Sequence, residues 1–286
     1  MAPVALPELP GVTHRDLIVN GVRLHVAEAG EGPPIVMQHG WPQNWWAWRK
    51  VIPALAERHR VICPDLRGFG WSDAPPGRYD KESLASDLLA VLDLLGHERV
   101  LLVGHDWGGW VGFLACLRAP ERFSGYLALA IAHPWVGGGR VDPRRLLPLW
   151  YQFVLASPAG PHLVGREGVM RRVLERAGEG VLDEQAIGVY AATLAQPASA
   201  RASSELYRTF LLREAVPVVR GRYRDARLRV PTRLVVGDRD PVLEPETVGG
   251  LDAHADDATT DWIAGGTHWL PEQYPERVLE EVARLS

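Results

Sequence analysis

Val100-Leu101-Leu102-Val103-Gly104-His105-Asp106-Trp107-Gly108-Gly109-Trp110 passes from a β-branched apolar strand through Gly104 to a single acid, then into small residues that open a helical pattern. The layout is small-x-nucleophile-x-small, the strand–turn–helix bend called a nucleophile elbow, with aspartate where serine is the commoner occupant. A strand that turns this sharply strains the backbone at its tip, and bulky flanking side chains would clash. The bend lifts the Asp106 carboxylate above the sheet and puts the Trp107 N–H at a helix N-terminus, aimed at developing negative charge. A carboxylate needs no base to become nucleophilic, and it forms an ester with carbon electrophiles. A plainer reading competes, in which Asp106 merely caps the helix after a strand end. The rest of the chain has to choose between them.

Strand and helix signals alternate around that stretch. Residues 16–19 and 23–27 read as strands about an Asn20-Gly21 hairpin turn, and residues 34–38 as a short buried strand leading into His39-Gly40-Trp41-Pro42. Residues 45–57 have helical periodicity, 60–63 return as a strand, and 82–95 form an apolar-striped helix closed by Gly96. After the strand at 100–103 come a helix over 107–118 and a strand over 126–131. Such alternation implies an α/β fold with a mostly parallel sheet covered on both faces. Residues 134–225 break the pattern, being punctuated by Pro and Gly and helical where regular. Strands resume at 232–236, ending in Gly237-Asp238-Arg239-Asp240, and at 259–263, followed by Gly265-Gly266-Thr267-His268 and a last helix through Leu285. Residues 1–133 and 226–286 are therefore expected to form the core, with 134–225 as a helical cap over the strand C-terminal ends, where open α/β sheets bind ligands.

Composition narrows the function. A net charge of −4 and a pI near 6.2 argue against nucleic acid or an anionic membrane as partner. Lysine occurs only at Lys50 and Lys81 amid abundant Ala, Gly, Pro and Arg, a bias that fits a GC-rich bacterial coding sequence. Cys63 and Cys116 stand in apolar settings that suit buried reduced thiols. The N-terminal residues have no basic start or sustained apolar run, and no stretch of about twenty apolar residues occurs, so a cytoplasmic location is expected. No His-x-x-x-His or Cys-x-x-Cys spacing supports a metal, and Arg67-Gly68-Phe69-Gly70 lacks the spacing of a dinucleotide site. The expectation is an enzyme without metal or cofactor.

Asp106, Asp240 and His268 each follow a strand signal, in the chain order nucleophile–acid–histidine. One sheet edge would gather them, with His268 as general base and Asp240 holding its tautomer. Asp238 competes for that second role; Asp240 is preferred because it lies further into the loop. The His39-Gly40-Trp41-Pro42 turn is positioned to supply the second oxyanion donor, so the backbone N–H groups of Trp41 and Trp107 would together hold an oxyanion. His39 and His105 are read as structural.

His39-Gly40-Trp41-Pro42, Asp65-Leu66-Arg67-Gly68-Phe69-Gly70-Trp71-Ser72, Gly104-His105-Asp106-Trp107-Gly108-Gly109, Gly237-Asp238-Arg239-Asp240 and His268-Trp269 resemble the signatures of α/β-hydrolase-fold epoxide hydrolases. The resemblance spans nearly the whole core. It implies an eight-stranded sheet with a cap inserted after the sixth strand, and hydrolysis of an epoxide to a vicinal diol. Family members activate the ring with two cap tyrosines. Tyr151-Gln152 and the following Ser157-Pro158 are similar to the first tyrosine motif, and Glu205-Leu206-Tyr207-Arg208-Thr209-Phe210 to the second, with Thr209 departing from the usual Asn. The chemistry explains the phenols, because ring opening releases an alkoxide, and a group with pKa near 10 stays protonated at neutral pH yet can donate to it.

The nearest rival is a haloalkane or haloacid dehalogenase with the same aspartate nucleophile, whose halide would need N–H donors in place of an acid. Against it, haloalkane types usually carry Asn at the Trp41 position, and haloacid types carry Arg at the Trp107 position. A ligand-binding protein on the same fold would be expected to lack part of the triad. Trp135, Trp150, Phe210 and Trp269 are candidate pocket residues that would make the cavity apolar, suited to a small apolar epoxide and water; packing of cap on core explains them equally. A monomer and a homodimer are both compatible with the sequence.

Overall fold

In the computed structural model, which describes residues 4–135, 148–178 and 180–286, the alternating segments assemble into one sheet. Its strands are β1 (Val12–Val19), β2 (Val22–Ala29), β3 (Pro34–Gln38), β4 (Arg60–Pro64), β5 (Val100–His105), β6 (Phe123–Leu129), β7 (Thr232–Gly237) and β8 (Ala258–Ile263). They lie in the order β1-β2-β4-β3-β5-β6-β7-β8. The β1–β2 hairpin and the β2–β4 pair are antiparallel, and every pairing from β4 through β8 is parallel. Asn20 and Gly21 both have positive φ, as a two-residue turn between right-twisted strands demands. All six residues of β5 are buried, which is why Val100–His105 reads as an unbroken apolar run instead of an alternation.

The strand order places the site. From β3 the chain moves to β4 on one side, then returns past β3 to form β5 on the other. The crevice beyond the C-terminal ends of β3 and β5 is thus the switch point of the sheet. Asp106 follows β5 there, and the 39–42 turn follows β3.

Helices α1 (Ile52–Leu55), α2 (Lys81–Leu94) and α3 (Trp107–Arg118) belong to the first half of the core. Asp80 caps α2 by accepting the Ser83 N–H. The helix expected over 45–57 is not continuous. It divides into a 3-10 turn at Trp45–Trp48 and the short α1. The Asn44 side chain accepts the Trp46 N–H, Asp65 accepts the Trp45 N–H, and Pro53 opens the next turn. All four residues Trp45–Trp48 are buried, so the apolar spacing there records an aromatic cluster in the core and not an amphipathic helix face.

Between β6 and β7 the described residues contain no strand other than an isolated bridge at Leu228, and are helical: α4 (Trp150–Ala156), α5 (Gly160–Val164), α6 (Glu167–Ala177), α7 (Glu184–Leu194), α8 (Pro197–Thr209), a π turn at Phe210–Glu214 and α9 (Ala215–Val219). Residues 136–147 and 179 of the expected cap lie outside the described residues. The core resumes with β7, α10 (Pro245–Val248) and β8, and ends in α11 (Leu270–Gln273) and α12 (Pro275–Leu285). The expected last helix is thus broken, with Pro275 at the start of its second piece.

The cap is tied to the core by polar bonds. Arg49 donates to Glu272 of α11 and to Asp183 beside α7, both at 2.6 Å, and the Tyr190 hydroxyl donates to the same Glu272 at 2.7 Å. Asn44 donates to Thr193 at 3.2 Å.

Candidate active site

Asp106 occupies the turn between β5 and α3 with φ 51° and ψ −127°, a strained conformation for a non-glycine residue. Its neighbours are small because the space is taken. A Cβ on Gly108 would overlap the backbone carbonyl oxygens of Gln38 and His39, and one on Gly40 would strike the Asp106 side chain. The strain at the tip is held by α3, whose Trp110 N–H reaches back to the Asp106 carbonyl at 3.1 Å, and by β6, whose Leu129 carbonyl accepts the Asp106 N–H at 3.1 Å.

The two carboxylate oxygens differ. Oδ1 accepts the Trp41 backbone N–H at 2.8 Å, beside the cis Trp41-Pro42 peptide. Oδ2 stands 3.4 Å from Nε2 of His268. On the far side of that ring, Nδ1–H donates to Asp240 Oδ2 at 2.8 Å, and the other Asp240 oxygen accepts the Val242 N–H at 2.8 Å. Asp238 does something else: exposed, it accepts the Gly265 N–H at 2.7 Å and ties the β7 loop to the β8 loop. The Trp107 N–H heads α3.

Burial alone would lower the His268 pKa. The charge of Asp240, then the hydrogen bonds and charge of Asp106 and Asp240, overcome it and raise the ring to about 10. Asp240 is held below the usual carboxylate range, its burial outweighed by the histidine charge and the bonds it accepts.

His39 and His105 both lie beneath this constellation, fully buried. Nε2 of His39 accepts the Leu66 N–H at 3.0 Å, fixing the loop after β3. Nε2–H of His105 donates to the His268 carbonyl at 2.7 Å, so the end of β5 also steers the loop that carries the histidine. Burial, then the facing His268, push His105 down to about 4, which keeps it a neutral donor.

Over the carboxylate the cap brings two phenols. Tyr151 on α4 and Tyr207 on α8 meet edge to face at 5.9 Å between ring centres. Trp41 stacks on Tyr151 at 6.3 Å and meets the edge of Tyr207 at 5.4 Å, while its indole N–H donates to Ser203 of α8. Burial, reinforced by the Asp106 charge, pushes Tyr151 up to about 12. Burial also pushes Tyr207 well above its ordinary value, with Tyr151 and Asp106 adding to it. Both phenols are therefore protonated at any neutral pH and lie within electrostatic reach of the carboxylate.

The four aromatic pocket candidates separate. Phe210 packs on Trp107 at 4.9 Å and on Trp110, in the wall around Tyr207. Trp269 adjoins the His268 ring and donates to Ala177 of the cap. Trp135 packs instead against Phe113 and stacks on His254, its indole bonded to the Ala226 carbonyl. Trp150 is 65% exposed on the outside of α4, one turn of which carries Tyr151 inward.

Two groups around the site carry no role in the sequence reading. Asp65 accepts N–H groups of Trp45 and Trp71 and bonds the buried His25, so it organises the loop after β4. Lys81 is wholly buried against the cap residue Glu214. The partner of Lys81 lies 133 positions along the chain, and only the scarcity of lysine singles out Lys81 in the sequence. A cleft of about 610 Å³ lined by Thr13, Glu28, Arg60 and His97 lies at the opposite, N-terminal end of β3 and β4, away from this constellation. Among the described residues no cluster of three or more His, Cys, Asp or Glu side chains is arranged to hold a metal ion, and no helix is long and apolar enough to cross a membrane.

Comparison with known proteins agrees with the fold. The chain is 29% identical to the soluble epoxide hydrolase of Corynebacterium sp. (strain C12), over 96% of this chain and 97% of that protein. It is 28% identical to the AB hydrolase superfamily protein YfhM of Bacillus subtilis (strain 168), over 93% and 95% of the two chains. The solved structure of the epoxide hydrolase CorEH without ligand superposes with a TM-score of 0.85 at 28% identity, covering 96% of this chain and 98% of that one. The profile of the alpha/beta hydrolase fold matches residues 33–274, from the first parallel strand to the segment just past His268. With that match laid over the sheet order and the elbow, the chain belongs to the α/β-hydrolase fold family.

Proposed function

We propose that this protein hydrolyses an epoxide to a vicinal diol through an ester on Asp106. Oδ2 attacks a ring carbon, the carbon–oxygen bond breaks, and the departing oxygen takes a proton from Tyr151 or Tyr207. The cap phenols suit that task, since burial keeps them protonated and the carboxylate beneath them fixes where the electrophile must lie. His268, held by Asp240, then removes a proton from water as it adds to the ester carbonyl carbon. The resulting oxyanion forms on Oδ1. Collapse breaks the bond between that carbon and Oδ2, the departing oxygen takes up the remaining proton of the added water, and the Asp106 carboxylate is restored, so the diol departs carrying an oxygen that began on Asp106.

One observation carries this reading. Oδ1 already rests on the Trp41 N–H, while Oδ2 is the oxygen turned toward His268. The first is therefore seated where negative charge must develop in the second step, and the second is left to act as nucleophile. A donor of this kind is worth about 3 kcal/mol in the transition state.

The charge balance also orders the steps. With Asp106 ionised, His268 is held as imidazolium, which cannot act as a base. Alkylation removes the Asp106 charge and with it part of what raised the ring, so His268 gives up its proton, which restores the phenol that was spent in ring opening, and becomes basic once the ester exists. A single turnover in heavy-oxygen water is expected to release unlabelled diol and to label Asp106; label in that first diol would refute the covalent route. Asp106→Asn should form no diol from any epoxide of a small aryl and alkyl panel.

A further inference from the structure

Behind the aromatic wall of the site sits a cation that the proposed reaction leaves unused. Lys81, the first residue of α2, is 0% exposed. Its Nζ pairs with Glu214 at 3.0 Å, and its backbone N–H donates to the other oxygen of the same carboxylate at 2.9 Å. The Nζ also donates to the Leu206 carbonyl at 2.9 Å and lies 4.4 Å from the centre of the Trp107 ring and 5.0 Å from that of Phe210. Glu214 closes the π turn that follows α8, where the Ala215 N–H reaches back to Phe210, and such turns recur at functional sites.

The Leu206 carbonyl is half of the peptide unit whose nitrogen belongs to Tyr207. Lys81 thus grips the backbone that bears one phenol, and its charge lies over the indole that meets that phenol edge to face at 5.8 Å. A buried ion pair adds little net stability compared with apolar residues of the same volume. What an apolar pair could not supply is a directional bond to that particular carbonyl.

We infer that Lys81 is a positioning residue for the ring-opening step: by fixing the Leu206–Tyr207 peptide and the Trp107 ring, it sets where the Tyr207 hydroxyl meets the epoxide oxygen. The inference rests on the epoxide reading above and extends it to a side chain that touches no substrate. It requires the effect of Lys81 to pass through Tyr207 and to fall on ester formation alone.

Rapid-quench single-turnover measurements on the full-length protein separate formation of the Asp106 ester from its hydrolysis. Lys81→Met should slow ester formation about ten-fold or more, since displacements of an ångström carry costs of this size, and leave hydrolysis of the ester within about two-fold. In a Tyr207→Phe background the same substitution should change ester formation less than about two-fold, because the hydroxyl it positions is gone. Should Lys81→Met fail to fold, Lys81→Met with Glu214→Leu leaves no orphan carboxylate and serves for the same measurements. An undiminished effect in the Tyr207→Phe background, or an equal fall in both steps, would overturn the role of Lys81. So would wild-type ester formation in the variant. Absence of any ester in the wild-type protein would overturn the reaction itself and the inference with it.

Discussion

In the proposed reaction, the division of labour between the two Asp106 oxygens makes the histidine dispensable for the first chemical event and required for the second. His268→Gln is expected to form the ester and release almost no diol, so a stoichiometric amount of alkylated protein should be visible by intact mass. Tyr151→Phe and Tyr207→Phe should each slow ester formation by about 100-fold, within the range for loss of a positioned acid, without slowing hydrolysis of an ester once formed. The pH dependence follows from the same charges. In the free protein the His268 ring titrates near 10, and removal of the Asp106 charge must move that value down. Hydrolysis of the ester should therefore rise with pH through a midpoint lower than the one seen for His268 by NMR in the free protein. Equal midpoints would contradict the sequence of events.

Among the elements, the elbow is where sequence and structure correspond most closely. Gly104-His105-Asp106-Trp107-Gly108 can be read from the chain because close approach of two backbones permits few residue types, and Gly108→Ala should destabilise the protein by about 1–3 kcal/mol in urea unfolding, the range for a group forced into filled space. The buried parallel strands are legible for a related reason, since burial on both faces requires apolar residues throughout. The segment at 45–57 is not legible in this way. Spacing alone cannot tell an amphipathic face from tryptophans turned inward, and the bonds that break the helix come from Asp65, distant in sequence. Trp150 and Tyr151 show the same limit within a cap helix: adjacent aromatics, one exposed and one turned to the site. Lys81 and Glu214 are 133 positions apart, so no local pattern could join them.

For the molecule as a whole, cap and core share buried charge. Arg49→Met would leave Glu272, which has no exposed side-chain surface, with only the Tyr190 hydroxyl and the Lys50 ammonium at 3.7 Å, and should cost about 3 kcal/mol in urea unfolding. Titration sets a second expectation. His14, His39, His97, His105 and His133 all have lowered pKa values in the folded state, chiefly through burial. The unfolded chain takes up their protons as pH falls below about 6.5, so stability is lost on that side. His268 acts in the opposite sense: its raised value gives stability that is whole below about 6.5 and is lost as pH rises toward 10. Lys81, lowered to about 8 by burial, opposes that loss above 8, leaving the interval between 6.5 and 8 to His268. Urea midpoints should accordingly peak near pH 6.5 and decline toward 8, and His268→Gln should flatten the decline. The bond from the His105 ring to the His268 carbonyl has a mechanical consequence as well. Because β5 runs directly into the turn that bears Asp106 and also bonds the loop that bears His268, a displacement of that strand is passed to both sides of the constellation.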